Sequence, residues 1–182
     1  MDRKRVCVFC GSSSGKDPAY GRVTRELAEA ICARGLGIVY GGAHRGLMGT
    51  LADRVLELGG EVIGVIPQRL VDLEVAHAHL SELHVVDSMH ERKAMMAAHA
   101  HAFLALPGGF GTLEELMEVV TWQYLGFHDK PCAVLNVAGY FDRFLEFVQH
   151  MASEGFVRSV QTENFLVGRS PEHALELLFD RC

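Results

Sequence analysis

With 182 residues, the chain is long enough for one domain with a substantial core and too short for two of ordinary size. Its 49% hydrophobic and 22% charged residues suit a soluble globular protein, and no apolar run approaches the roughly 20 residues that a membrane span needs. A formal charge of -6 supplies no global basic field for a nucleic-acid backbone, so a bound phosphate should be small and locally held.

The opening "MDRKRVCVFCGSS" imitates a signal peptide, but the apolar run from Val6 to Cys10 falls short of the roughly 7–15 residues of such a leader and reads instead as a first strand. A helical spacing from Tyr20 to Arg34 follows, then the strand "LGIVYGG", a helix over Leu47 to Leu58, and the strands "EVIGVIP" and "ELHVVDS". Next come a helix over Met89 to His101, the strand "AFLALPGG", a helix over Leu113 to Leu125, the strand "PCAVLNV" and a helix over Tyr140 to Glu154. A weak strand, "NFLVG", and a helix from Pro171 to Phe179 close the chain. Near-continuous apolar strands alternating with helices predict an α/β fold: a single doubly wound, mostly parallel sheet with helices on both faces, a Rossmann-like domain spanning 1–182.

Five cysteines is an odd number, and Cys7, Cys10, Cys32 and Cys132 all lie in apolar patterns, which points to reduced core thiols and a cytoplasmic location. Cys7 and Cys10 spell CxxC, but side chains three apart on one strand face opposite ways, and no second pair completes a zinc site. His77 with His79, and His99 with His101, lack a third ligand at a familiar spacing, so no metal is expected.

In doubly wound sheets ligands bind beyond the carboxyl ends of the strands, where strand order reverses. Three predicted strand ends carry glycine clusters: "CGSSSGKD", "YGGAHRGLMG" and "LPGGFGTLEE". The first fails the Walker pattern twice, with Cys10 where glycine should stand and Asp17 where a hydroxyl residue should; the second lacks the GxGxxG spacing. Tight strand-to-helix turns explain both as well as ligand contact does, which leaves Gly11, Ser12 and Gly42 as candidate backbone contacts. In "DSMHERKAMM", Ser88 and Glu91 form a capping box, so Arg92 and Lys93 fall in or near the first helical turn, where cations are disfavoured by a few tenths of a kcal/mol unless an anion joins them.

The third cluster poses a question, because Glu114 and Glu115 stand close to a turn suited to an anion. Thr112 and Glu115 spell a second capping box, which is one account. The other divides the labour: amides from Gly109 to Thr112 hold a phosphate, and a carboxylate one turn along faces a sugar, where breaking a glycosidic bond develops positive charge.

"PGGFGTLEE" matches PGGxGTxxE, and with "MHERK" upstream it resembles the LONELY GUY family of cytokinin-activating phosphoribohydrolases. The resemblance extends from "VFCGSSSG" through "YGGAHRGLMG" and "TWQYLGFHDKP" to "EGFV". It implies hydrolysis of nucleoside 5′-monophosphates to a free base and ribose 5-phosphate, with N6-modified adenine nucleotides or AMP as the substrate. It also implies Arg92 and Glu115 as catalytic residues, Lys93, Gly109, Gly111 and Thr112 as substrate contacts, and Glu74 and Thr121 as further contacts. Homodimers or larger assemblies and no organic cofactor are implied as well. An apolar face on Leu113 to Leu125 too wide for one sheet, with Met117, Val120, Trp122 and Tyr124, fits a partner subunit or burial within the monomer. The lysine decarboxylase label that such sequences have carried finds no support in Lys4, Lys16, Lys93 or Lys130, none of which has a Schiff-base setting. A non-catalytic nucleotide or cofactor carrier on the same fold is the rival reading, as is an AMP nucleosidase without cytokinin preference.

Overall fold

Seven short strands, most of them apolar throughout, leave no face for solvent, and this dictates a sheet covered on both sides. The computed structural model describes residues 3–73, 75–158 and 165–180, and it arranges β1 (Arg5–Phe9), β2 (Gly37–Tyr40), β3 (Val62–Pro67), β4 (Glu82–Val86), β5 (Ala102–Ala105), β6 (Cys132–Leu135) and β7 (Leu166–Gly168) in one parallel sheet. The strand order is β4-β3-β2-β1-β5-β6-β7. Every ladder is parallel, with Val8 of β1 level with Leu104 of β5 and Val6 level with Ile38 of β2.

Alternation along β1 sorts its side chains into two cores. Val6 and Val8 join Ile38, Tyr40 and Leu104 beneath α1 (Pro18–Ala33) and α2 (Gly46–Glu57), which contribute Leu27, Ile31, Leu51 and Val55. Cys7 and Phe9 join Val39, Ile63 and Phe103 on the other face. That face is covered by α4 (Met89–His99) and α5 (Phe110–Tyr124), through Met96, Leu116 and Val119. A short α3 (Gln68–Asp72), α6 (Asp142–Ser153) and α7 (Pro171–Phe179) complete the helices of the described residues. Phe103 and Leu104 are fully buried, and truncating such residues to alanine typically costs about 2–5 kcal/mol. Cys7 and Cys10 lie in different cores as free thiols, which rules out a bond between them.

Helix boundaries depart from the apolar periodicity where caps and turns decide them. α1 begins at Pro18 because the Asp17 side chain accepts from the Ala19 amide at 2.8 Å. α6 begins only at Asp142, since Val137–Gly139 forms a 3-10 turn ahead of it. α3 is too short to show a period and was not foreseen. α5 begins three residues earlier than its apolar pattern, at Phe110.

β1 and β5 lie side by side, yet the chain leaves β1 toward β2 and leaves β5 toward β6 on the opposite flank. Strand order reverses between them, and a crevice opens above their carboxyl ends.

Candidate active site

Three glycine-rich turns meet over that crevice. The Gly11 amide donates to the Pro107 carbonyl at 3.1 Å, joining the turn after β1 to the turn after β5. Leu47, at the start of α2, donates to the Gly11 carbonyl at 3.0 Å. Gly46 lies so close to the first turn that a Cβ there would stand 2.3 Å from the carbonyl carbon of Ser12, and its φ of +60° also favours glycine.

The turn after β5 leads directly into α5, whose N-cap is Gly109. Its N-cap residue makes no side-chain cap bond, which leaves the first-turn amides of Phe110 to Thr112 as donors at the positive end of the dipole. The Thr112–Glu115 capping box does not form: Thr112 is already the third helical residue, and Glu115 turns elsewhere. A Cβ built on Gly108 would fall 2.0 Å from Thr112 Oγ1, which places this buried hydroxyl against the loop.

Glu115 pairs with Arg92. Nη1 of Arg92 donates to Glu115 Oε1 at 2.8 Å and its Nε donates to the Val65 carbonyl at 3.1 Å, so the guanidinium is fixed by both β3 and α5. The two side chains are only 7% and 6% exposed, which makes theirs the most deeply buried ion pair among the described residues. The guanidinium fits because residue 41 is glycine; a Cβ there would lie 2.0 Å from Arg92 Nη2. Burial pushes the Glu115 carboxyl above the usual glutamate range, against the opposing pull of Arg92. Beneath the pair, burial and the Glu115 charge raise the Cys7 thiol, which keeps it neutral.

Lys93 is held by two carboxylates of α5, Glu114 and, at 3.1 Å, Glu118. Burial works to lower its pKa, but the bonds to Glu114 and Glu118 outweigh it and leave the ammonium above its ordinary value. The cations at the start of α4 therefore find anions inside the molecule. The Ser88 cap itself forms as its residues imply: Oγ accepts from the Glu91 amide at 3.1 Å, while Glu91 Oε2 reaches back to the Asp87 amide at 3.0 Å.

Of the residues singled out in the sequence, Arg92, Glu115, Lys93, Gly109, Gly111 and Thr112 gather on two neighbouring helix starts, with Gly11, Ser12 and Gly42 on the turns beside them. Gly11 has committed its amide to Pro107, so it joins two loops and does not offer a donor. Gly42 has φ +75°, and its carbonyl accepts from the His77 amide at 2.9 Å. Thr121 shares a stripe of α5 with Glu114 and Glu118 but stands about 9 Å of helix rise beyond Glu115, away from the crevice. Glu74 lies outside the described residues.

Sequence reasoning missed Glu118, though its place one turn after Glu114 on the same stripe was a usable signal. It also missed a clasp over the second turn. His44 approaches the Val75 carbonyl through Nδ1 at 2.9 Å, and His77 Nε2 meets Asp53 Oδ1 at 2.9 Å. No local pattern announces these contacts. Among the described residues there is no group of three or more His, Cys, Asp or Glu side chains that could hold a metal ion.

Fold and site together define a doubly wound α/β protein with an uncapped, anion-ready helix start and a buried arginine–glutamate pair at its switch point. A family model described as "possible lysine decarboxylase" matches residues 48–178. A cytokinin riboside 5′-monophosphate phosphoribohydrolase of Arabidopsis thaliana is 48% identical over 96% of this chain and 75% of its own length. One of Rhodococcoides fascians is 47% identical over 94% and 87%, respectively. Among solved structures, a molybdenum cofactor binding protein from Rippkaea orientalis shares the fold with a TM-score of 0.74 at 20% identity, covering 97% of this chain and 96% of that one. The chain belongs to the LONELY GUY family of cytokinin riboside 5′-monophosphate phosphoribohydrolases.

The lysines do not suit the decarboxylase description. Lys93 is charged and tied to two carboxylates, Lys130 donates to the Ala97 carbonyl, and Lys4 and Lys16 are exposed.

Proposed function

We propose that the chain hydrolyses the N-glycosidic bond of N6-modified adenosine 5′-monophosphates, and of AMP, their unmodified parent, to free base and ribose 5-phosphate. The buried Arg92–Glu115 pair beside the uncapped start of α5 carries this reading. First-turn amides of Gly109 to Thr112 grip the phosphate, with the Thr112 hydroxyl and Ser12 at the rim. The furanose then lies toward Glu115, one to two turns along the helix. As the bond from C1′ to the base nitrogen breaks, its electron pair leaves with the base and the ring gains positive charge, which the Glu115 carboxylate stabilises from a dry site. Water adds to C1′ and gives up a proton, and in the net reaction the departing base takes one up, so that hydroxyl ends on C1′ and hydrogen on the base. Arg92, anchored on Val65, fixes the Glu115 rotamer and opposes the tendency of burial to neutralise it. Lys93 offers a cation to the ligand from its pair with Glu114 and Glu118.

The test is chromatography of base released from AMP and from its isopentenyl analogue by wild type and by Glu115→Gln. Wild type should release base, and the variant should bind nucleotide while losing turnover by about 10²-fold or more. Equal turnover would remove Glu115 from the mechanism. Tight binding by wild type without any release would favour a carrier.

We infer further that two copies associate. Tyr124 and Leu125 at the end of α5 are each 56% exposed, with Met89, Leu83 and Val85 also exposed, which supports a covering partner. Light scattering at the monomer mass would oppose this. The free thiols of Cys7, Cys10, Cys32 and Cys132 favour a reducing, cytoplasmic compartment.

A further inference from the structure

The glycine-rich turn before α5 is tied to a residue 32 positions further along the chain. Tyr140 follows the turn after β6 and donates its hydroxyl hydrogen bond to the Gly108 carbonyl. Its ring is held on two sides. It meets Tyr20 edge-on, with centroids 5.7 Å apart at 81°, and Phe141 at 5.1 Å and 90°. Tyr20 in turn packs so closely over Gly15 that a Cβ there would stand 2.6 Å from its ring. One hydroxyl and two rings thus link the turn after β5 to the turn after β1.

The segment that presents Tyr140 is itself tightly determined. Asn136 Oδ1 accepts from the Phe141 amide at 2.8 Å, Asn136 Nδ2 donates to Asp142 at 2.6 Å, and the Tyr140 amide donates to the Val137 carbonyl at 3.0 Å. Ala138 adopts φ +51°, the one positive φ outside glycine among the described residues. Such a conformation persists only where its surroundings over-determine it, and it often marks a functional segment.

The consequence lies in peptide geometry. In a trans peptide the carbonyl of one residue and the N–H of the next point in opposite directions. The Pro107 carbonyl is tied to the Gly11 amide and the Gly108 carbonyl to Tyr140, so two successive negative dipole ends have partners outside α5. The amide that shares the second peptide plane is that of Gly109, the N-cap of α5. We propose that Tyr140 is a positioning residue for substrate phosphate: by holding the Gly108 carbonyl back, its hydroxyl aims the Gly109 N–H into the anion site. This rests on the phosphate-binding role assigned above to the start of α5.

Tyr140→Phe removes the hydroxyl and keeps the ring packing on Tyr20 and Phe141. Calorimetric titration with ribose 5-phosphate should show affinity falling by about three- to tenfold, the factor expected for one hydrogen bond. KM for the nucleotide should rise by the same factor while kcat changes far less. Inhibition by adenine alone, which carries no phosphate, should be unaltered. Unchanged affinity for ribose 5-phosphate would overturn the proposal, and so would equal weakening of ribose 5-phosphate and adenine, which marks a general loosening. Tyr140→Leu, which also loses the ring brace, should weaken ribose 5-phosphate binding at least as much as Tyr140→Phe; wild-type affinity in that variant would also overturn it. Because the titration needs no turnover, it separates this proposal from the hydrolase reading. A wild type that binds ribose 5-phosphate but releases no base would refute the hydrolase reading and leave the role of Tyr140 to the titration.

Discussion

The starts of α4 and α5 are neighbours at the same crevice and are built in opposite ways. α4 has a side-chain cap of its own: Ser88 Oγ accepts from the Glu91 amide, and Glu91 returns to the Asp87 amide. α5 begins at a glycine that caps nothing. α4 then carries cations that its own dipole disfavours, α5 carries carboxylates just beyond its first turn, and the two sets pair with each other. The lesson is that a basic residue near a helix start does not by itself mark an anion site. The better sign is an absent cap, because unfilled donors need a partner from outside.

Breaking the cross-helix pairing should have the largest effect on stability. Arg92→Ala leaves Glu115 buried without its counter-charge, a loss of about 3–5 kcal/mol in chemical denaturation at neutral pH. The pH dependence follows from the direction of the Glu115 shift. Burial raises that carboxyl already, and removing Arg92 removes what opposes the rise. A carboxyl whose folded pKa lies above its unfolded value favours the folded state below that unfolded value, and loses this contribution as pH rises through the folded pKa. The penalty of Arg92→Ala should therefore shrink on acidification as Glu115 takes up a proton. A penalty that does not depend on pH would mean that lost packing, not the stranded charge, is responsible.

Capping α5 should sharpen the contrast from the other side. Gly109 has φ -92°, and a Cβ built there meets nothing within 4 Å, so the backbone accepts a side chain. Gly109→Asp supplies both a cap and a negative charge at the place where phosphate is expected. Ribose 5-phosphate affinity should fall by about tenfold or more, while stability stays level or rises by a few tenths of a kcal/mol. Unchanged affinity in the same titration would mean that the phosphate sits elsewhere.

The two helix starts also differ in how legible they were. The Ser88 cap was readable because its partners lie within four residues, and the strands were readable because Ile38 to Tyr40 or Ala102 to Ala105 are apolar in both directions. The start of α5 was misplaced because Phe110 and Gly111 read as loop, glycine being a poor helix former, and because Thr112 with Glu115 offered a false cap three residues late. The Arg92–Glu115 pair joins residues 23 apart in sequence and the Tyr140–Gly108 bond joins residues 32 apart. Periodicity and capping rules are local, so neither contact leaves a trace in them. Arg92 and Glu115 came forward through the capping patterns and glycine turn beside them, and family resemblance gave them catalytic roles, whereas Tyr140 resembled the start of an ordinary helix.

The smallest expected effect tests whether α4 is as self-contained as its caps imply. Ser88→Ala deletes the acceptor of the Glu91 amide but leaves the bond from the Asp87 amide to Glu91 Oε2 at 3.0 Å. Ser88 is exposed, so water can take over the freed amide, and the loss should be about 1 kcal/mol in a denaturant melt. Ribose 5-phosphate affinity should not change, because this end of α4 carries its own cap and its cations pair with α5. A several-fold loss of that affinity with unaltered stability would reverse the comparison and make α4, not α5, the helix that receives the phosphate.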